Sequence, residues 1–292
     1  MTEFQKEVSE LINSGFAVSE ISKKLNRPMN SVSSVIKALN LKVKKNLNEN
    51  KINHSYFDNI DSDDKAYFLG FIIADGSISS SKTSNGRFSI NIQEEDSYIL
   101  ESLKSYIESP NKIYIKPSKS NSNGVKFRKP QALFRWTSKP MKEVLETKYN
   151  IKSNKTYNFD FRFPFELIPE QFYGSLIRGF IDGDGNFESH KGTFNPSIIG
   201  TSKIWLTQIG DIINLNTGLV YKIYSNKGKT CTYYTLRWSA ENKDKPNKIK
   251  KLYDFLYNDA IIFMKRKHEK IESYLEYRAN QIRVKGIWKC NA

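Results

Sequence analysis

The stretch Phe68-Leu69-Gly70-Phe71-Ile72-Ile73-Ala74-Asp75-Gly76 returns later in the chain as Ile177-Arg178-Gly179-Phe180-Ile181-Asp182-Gly183-Asp184-Gly185. The offset is 184 − 75 = 109 residues. Downstream landmarks follow in the same order, at offsets of 108 and 102 residues. Phe88-Ser89-Ile90-Asn91-Ile92 is echoed by Pro196-Ser197-Ile198-Ile199-Gly200, and Leu133-Phe134-Arg135-Trp136 by Thr235-Leu236-Arg237-Trp238. Between them lie matching apolar helices, Ile99 to Ile107 and Ile204 to Ile212, and matching strands, Lys112 to Ile115 and Val220 to Tyr224. Each half reads helix, two strands, helix, two strands, helix. A period this long excludes a solenoid and predicts a duplicated domain with pseudo-two-fold symmetry.

Within each copy, small residues stand four apart, Gly70 and Ala74, then Gly179 and Gly183. Residues at i and i+4 share a helix face, so the two motif helices can pack backbone to backbone. Gly76 and Gly185 are expected at helix ends with positive φ. The aspartate before each glycine sits at the negative end of a helix dipole, and packing the helices brings the two carboxylates together. Asp75 and Asp184, with the backbone carbonyls of Ala74 and Gly183, form an oxygen donor set for Mg²⁺. Such an ion would relieve the repulsion and polarise phosphate and water.

The chain has 292 residues, room for about two domains, with 46 Lys and Arg against 31 Asp and Glu, a net charge of +15. A basic, aromatic-rich, folded chain points to nucleic acid. Cys231 and Cys290 form no disulfide framework, His54, His190 and His268 lack zinc-ligand spacing, and no apolar run is long enough to span a membrane. The N-terminus carries no signal-peptide pattern, and a cytoplasmic, monomeric protein is expected.

Residues 1–45 read as three short helices, with apolar positions Phe4, Val8, Leu11, Ile12, Ile21, Leu25, Val32, Val35, Ile36 and Leu39. Asn30 or Ser31 is expected to cap the third, which would present Asn30, Ser31, Ser33, Ser34 and Lys37 to DNA as in a helix-turn-helix. Residues 46–62 read as a linker, followed by half-domains at 63–160 and 161–292. Strand alternation puts Ser79, Ser81, Arg87, Ser89, Asn91, Tyr114, Lys116, Lys126 and Arg128 on one face of the first half. Glu188, His190, Asn195, Ser197, Lys222 and Tyr224 take similar places in the second, a surface suited to a DNA groove.

The paired motifs resemble those of the LAGLIDADG homing endonucleases in their single-chain, two-motif form, over about residues 63–275. The segment from Leu256 to Lys267 is similar to the last helix of such enzymes. The resemblance implies an α+β fold of two αββαββα half-domains whose sheets form a saddle over double-stranded DNA. It implies that Asp75 and Asp184 bind two or three Mg²⁺ ions, with Mn²⁺ as a substitute and Ca²⁺ supporting binding without cleavage. It further implies a basic residue near each centre, for which Lys139 and, after a loop shift, Lys243 are the candidates, and a polar residue, Gln93, near the metals. Asp182, matched by Ile73 in the other copy, is not expected to be catalytic. The implied activity is a staggered double-strand break in a long target, as in intron homing. A regulator with dead catalysis and an intron RNA maturase are the alternatives.

Overall fold

The computed structural model describes residues 1–16, 18–41, 52–81, 85–117, 129–190, 193–239 and 244–290. It divides into two units, Met1–Lys51 and Ile52–Ala292. In the first, α1 (Glu3–Asn13), α2 (Val18–Lys24) and α3 (Met29–Ala38) close around Val8, Ile12, Ile21, Val32 and Val35. Thr2 and Gln5 make a reciprocal capping box at the start of α1. The start of α3 differs from expectation. Its N-cap is Pro28, with no side-chain capping bond, so neither Asn30 nor Ser31 caps it. Pro28 already has a φ suited to opening a helix.

In the second unit, Ile52, Tyr56, Phe57 and Ile60 are buried in the core. The expected linker is therefore corrected. Its residues 52–62 belong to the folded body, because four apolar side chains in a polar segment are enough to anchor it, and residues 46–51 lie outside the described residues.

The first half runs α4 (Asp63–Asp75), β1 (Gly76–Ile78), β2 (Arg87–Gln93), α5 (Ser97–Tyr106), β3 (Tyr114–Lys116), β4 (Gln131–Thr137) and α6 (Lys139–Thr147). The second runs α7 (Tyr173–Asp184), β5 (Gly185–His190), β6 (Thr193–Gly200), α8 (Lys203–Thr217), β7 (Val220–Lys227), β8 (Thr232–Ser239) and α9 (Lys245–Tyr257), followed by α10 (Lys265–Cys290). Both sheets are antiparallel with one strand order, β1-β2-β4-β3 and β5-β6-β8-β7. The fold is thus α+β, two αββαββα units, as the duplication predicted.

One face of each sheet is core. Phe88 stacks on Trp136 at 4.9 Å between centroids, and Phe187, Phe194, Leu236 and Trp238 play the same part in the second half. Burying each such side chain is worth roughly 1.5–3 kcal/mol. The halves meet along α4 and α7. A Cβ on Gly70 would lie 1.9 Å from the Leu176 carbonyl oxygen, and one on Gly179 would lie 1.9 Å from that of Tyr67. Only glycine permits this approach. Buried Arg178 ties the far end, donating to the Leu256 and Ile262 carbonyls and pairing with Asp63 at 2.7 Å.

Candidate active site and nucleic-acid face

Where α4 and α7 end, their last residues stand side by side. A Cβ on Gly183 would be 2.2 Å from the Ala74 Cβ and 3.3 Å from Asp75 Oδ2. The chain leaves each helix directly into a strand. Gly76 has φ −70° and Gly185 φ −85°, which corrects the expected left-handed conformation. The glycines serve another need. A Cβ on either would come within 2.6 Å of the carbonyl of Ile72 or Ile181.

Two lysines complete the site. Lys155 Nζ donates to the carbonyls of Ile72 (2.8 Å), Ile73 (2.6 Å) and Ala74. Lys267 Nζ donates to those of Ile181 (2.6 Å), Asp182 (2.7 Å) and Gly185 (2.7 Å). Each ammonium thus caps the negative end of one motif helix. The match is not complete, because the three carbonyls that Lys267 donates to do not include that of Gly183, whereas Ala74, expected as a metal ligand, already gives its carbonyl to Lys155.

Electrostatically the four groups are one cluster. By surface area Asp184 is exposed and Asp75 half-buried. Desolvation raises the Asp184 pKa to about 6, helped by Asp75 and opposed by Lys155 and Lys267. Burial also raises Asp75, against Lys155, Lys267 and Arg266. Burial lowers Lys155 to about 8, against the pull of Asp184 and then Asp75, and lowers Lys267 to about 8, against Asp182 first. Lys155 thus feels the opposite half's aspartate most.

Asp182 is fully buried. It accepts from Tyr67 Oη (2.9 Å) and the Met264 amide (2.7 Å) and fastens the halves together.

Lys139 is elsewhere. It starts α6, is 72 % exposed and pairs with Glu143 at 3.6 Å, one helical turn on. The cations acting on Asp75 are instead Lys155, Lys267 and Arg266. Lys243 lies outside the described residues. Gln93 ends β2 half-buried, its Oε1 buried and without a hydrogen-bond partner. Its counterpart Thr201 lines a hollow of about 260 Å³ with Ala74, Lys155, Asn158, Asp184 and Trp205.

The donors present are all oxygens: two carboxylates that repel each other in a desolvated setting, and the Gly183 carbonyl. That set fits a hard divalent cation, which takes its remaining ligands from water or phosphate. Among the described residues no group of three or more His, Cys, Asp or Glu side chains is gathered.

The other sheet faces are open. Arg87, Ser89 and Asn91 alternate with buried Phe88, Ile90 and Ile92 along β2. Tyr114 and Lys116 are exposed on β3. Ser79 is half-buried beside the carbonyl of Arg87, and Ser81 follows at an exposed position. Lys126, Arg128 and the side chain of His190 lie outside the described residues. In the second half, Glu188, Asn195, Ser197, Lys222 and Tyr224 line one polar hollow of about 360 Å³, together with Asn186 and Arg237. On α3, Asn30, Ser33, Ser34 and Lys37 are exposed along one stripe and Ser31 is half-buried.

Sequence reasoning missed Lys155, Lys267, Arg135 and Arg237. Each pair had a signal. The lysines follow the last helix of each half, 267 − 155 = 112 residues apart, and the arginines occupy the same place in the matched strands β4 and β8. Each arginine is exposed and stands opposite a serine, Ser89 or Ser197.

No family model and no curated protein matches the chain. Among solved structures it is similar to the homing endonuclease I-WcaI bound to its DNA recognition sequence (17 % identity, 80 % of this chain and 96 % of that one, TM-score 0.47). It is also similar to I-DmoI in complex with DNA and Mn (18 %, 67 % and 97 %, 0.45). A third is the I-LtrWI LAGLIDADG homing endonuclease bound to target DNA (14 %, 78 % and 92 %, 0.44). Nothing about chemistry follows from likenesses at this level.

Proposed function

We propose that this chain is a site-specific DNA endonuclease of the homing type, which hydrolyses one phosphodiester in each strand of a long duplex target and leaves a staggered break. The observation that carries the reading is the pairing of Asp75 and Asp184 at the adjoining ends of α4 and α7, with Lys155 and Lys267 set against them. Asp75, Asp184 and the Gly183 carbonyl would hold divalent ions, Mg²⁺ or Mn²⁺, with Ca²⁺ allowing binding alone. Such ions supply Lewis acidity and an acidified water. The chain's own groups do the rest. The carboxylates would hold such ions beside the reacting phosphate. The two ammonium groups offset charge building on phosphate. The open sheet faces grip the duplex, Arg87, Asn91, Lys116, Lys222, Arg237 and their neighbours meeting bases and backbone. The exposed stripe of α3 adds a second, tethered contact. In the reaction a water oxygen bonds to phosphorus as the P–O3′ bond breaks, and the proton lost by water balances the one taken up by the leaving oxygen.

The test is incubation of the protein with DNA flanking its own gene, in Mg²⁺ or Ca²⁺, beside Asp75→Asn and Asp184→Asn. Cutting in Mg²⁺ that either substitution abolishes, with binding in Ca²⁺ retained, is the expected result. Tight binding without cutting by the wild type would point to a regulator instead.

A further inference from the structure

The two centres are not equally equipped. The segment entering α10 crosses to the first half. The Lys265 amide donates to Tyr98 Oη at 2.7 Å, and Arg266 Nε donates to Asp96 Oδ2 at 3.0 Å. The Asp96 side chain is 3 % exposed, that of Arg266 42 %. A buried carboxylate therefore fixes the guanidinium by its Nε edge. The terminal Nη1 and Nη2 have no partner among the described residues, and Arg266 acts electrostatically on Asp75. A fork held on one side and open on the other suits a phosphate.

The second centre has no such fork. By the offset that relates Lys155 to Lys267, Arg266 corresponds to Asn154, a neutral side chain on left-handed backbone with φ 60°. Asp96 is the N-cap of α5, and the same place before α8 is taken by Ser202, which is not a carboxylate.

We infer that Arg266, positioned by Asp96, binds a backbone phosphate on the Asp75 side alone, so that the two strands of a bound duplex are held by unequal centres. The inference rests on the DNA-cutting reading above.

A duplex recovered from a random-sequence library on the wild-type protein in Ca²⁺ serves as the probe. With Ca²⁺ present, Arg266→Ala should flatten the slope of log affinity against log salt by about 0.9, the loss of one phosphate contact. Arg266→Lys should keep the slope, having kept the charge. With Mg²⁺ present, both substitutions should slow nicking of one strand at least about tenfold relative to the other, since lysine lacks the fork. Asp96→Asn should shift the strand ratio in the same direction, which a purely structural role would not. An unchanged slope for Arg266→Ala, or equal slowing of both strands, overturns the inference. If the wild type binds but never cuts, the endonuclease reading fails while the slope comparison still decides the phosphate contact.

Discussion

Lys155 and Lys267 carry cationic charge where the helix ends and the aspartates would otherwise leave negative charge uncompensated. Replacing either with methionine keeps the bulk but strands three carbonyls. Cleavage should fall about 10²–10³-fold, while Lys139→Ala should leave it unchanged, since that exposed pair with Glu143 is worth only about 0.3–0.5 kcal/mol. Steady-state cleavage by the three variants checks this. The aspartates also set a pH dependence. Asp184 is raised in the fold from 3.8 to about 6. Between those values the folded state binds more proton than the unfolded one, so this group's contribution to stability falls as pH rises. Asp184→Asn does not titrate. Its metal-free stability relative to wild type should therefore improve by roughly 1 kcal/mol across that window, less than the full shift implies because the carboxylate opens to water. Urea unfolding in EDTA would show it, and a constant difference would refute the desolvation account. The two aspartates were legible in the sequence because they end a repeated motif. The lysines were harder to see. Their amino groups reach the site from segments about 80 residues beyond each aspartate, and only register between the two halves singles them out.

Element by element, the order of helices and strands follows from the repeat, and the inner strands β2 and β6 keep the predicted alternation of core and open positions. The sequence does not state why a glycine is a glycine. Gly76 and Gly185 looked like left-handed helix ends, yet steric contact with the preceding turn explains them. The expected linker likewise reads as polar by composition, while four scattered apolar side chains decide its place. The closeness of α4 and α7 gives a sharp prediction. Gly179→Ala puts a methyl 1.9 Å from the Tyr67 carbonyl oxygen, with backbone on both sides and no room to give. It should destabilise the fold by about 3 kcal/mol or more and lower Tm by about 6–12 °C. Gly200→Ala meets only the end of Leu206 at 3.3 Å and should melt near wild type. Calorimetry of the two variants side by side separates packing from backbone freedom.

Across the whole molecule, the net charge is +15 and polar side chains line an open hollow on the second sheet, features that suit a polyanion. Among the described residues, none before Ile52 belongs to the core of the larger unit. A chain of residues 52–292 should therefore keep its own melting transition while binding duplex at least about tenfold more weakly, the small helical unit being a linked second contact. Calorimetry and fluorescence anisotropy together check both halves of that statement, and a collapsed melting transition would refute the division. Among the described residues no helix is long and apolar enough to cross a membrane. The contact between Ala74 and Gly183 has a consequence for the molecule's symmetry. Two copies of the first half, brought together by the same dyad, would set alanine against alanine with their methyl carbons about 2.2 Å apart. Such a homodimer could close only with the two helices moved apart. The first half carries its alanine where a glycine faces it, so at this contact the two halves are not interchangeable.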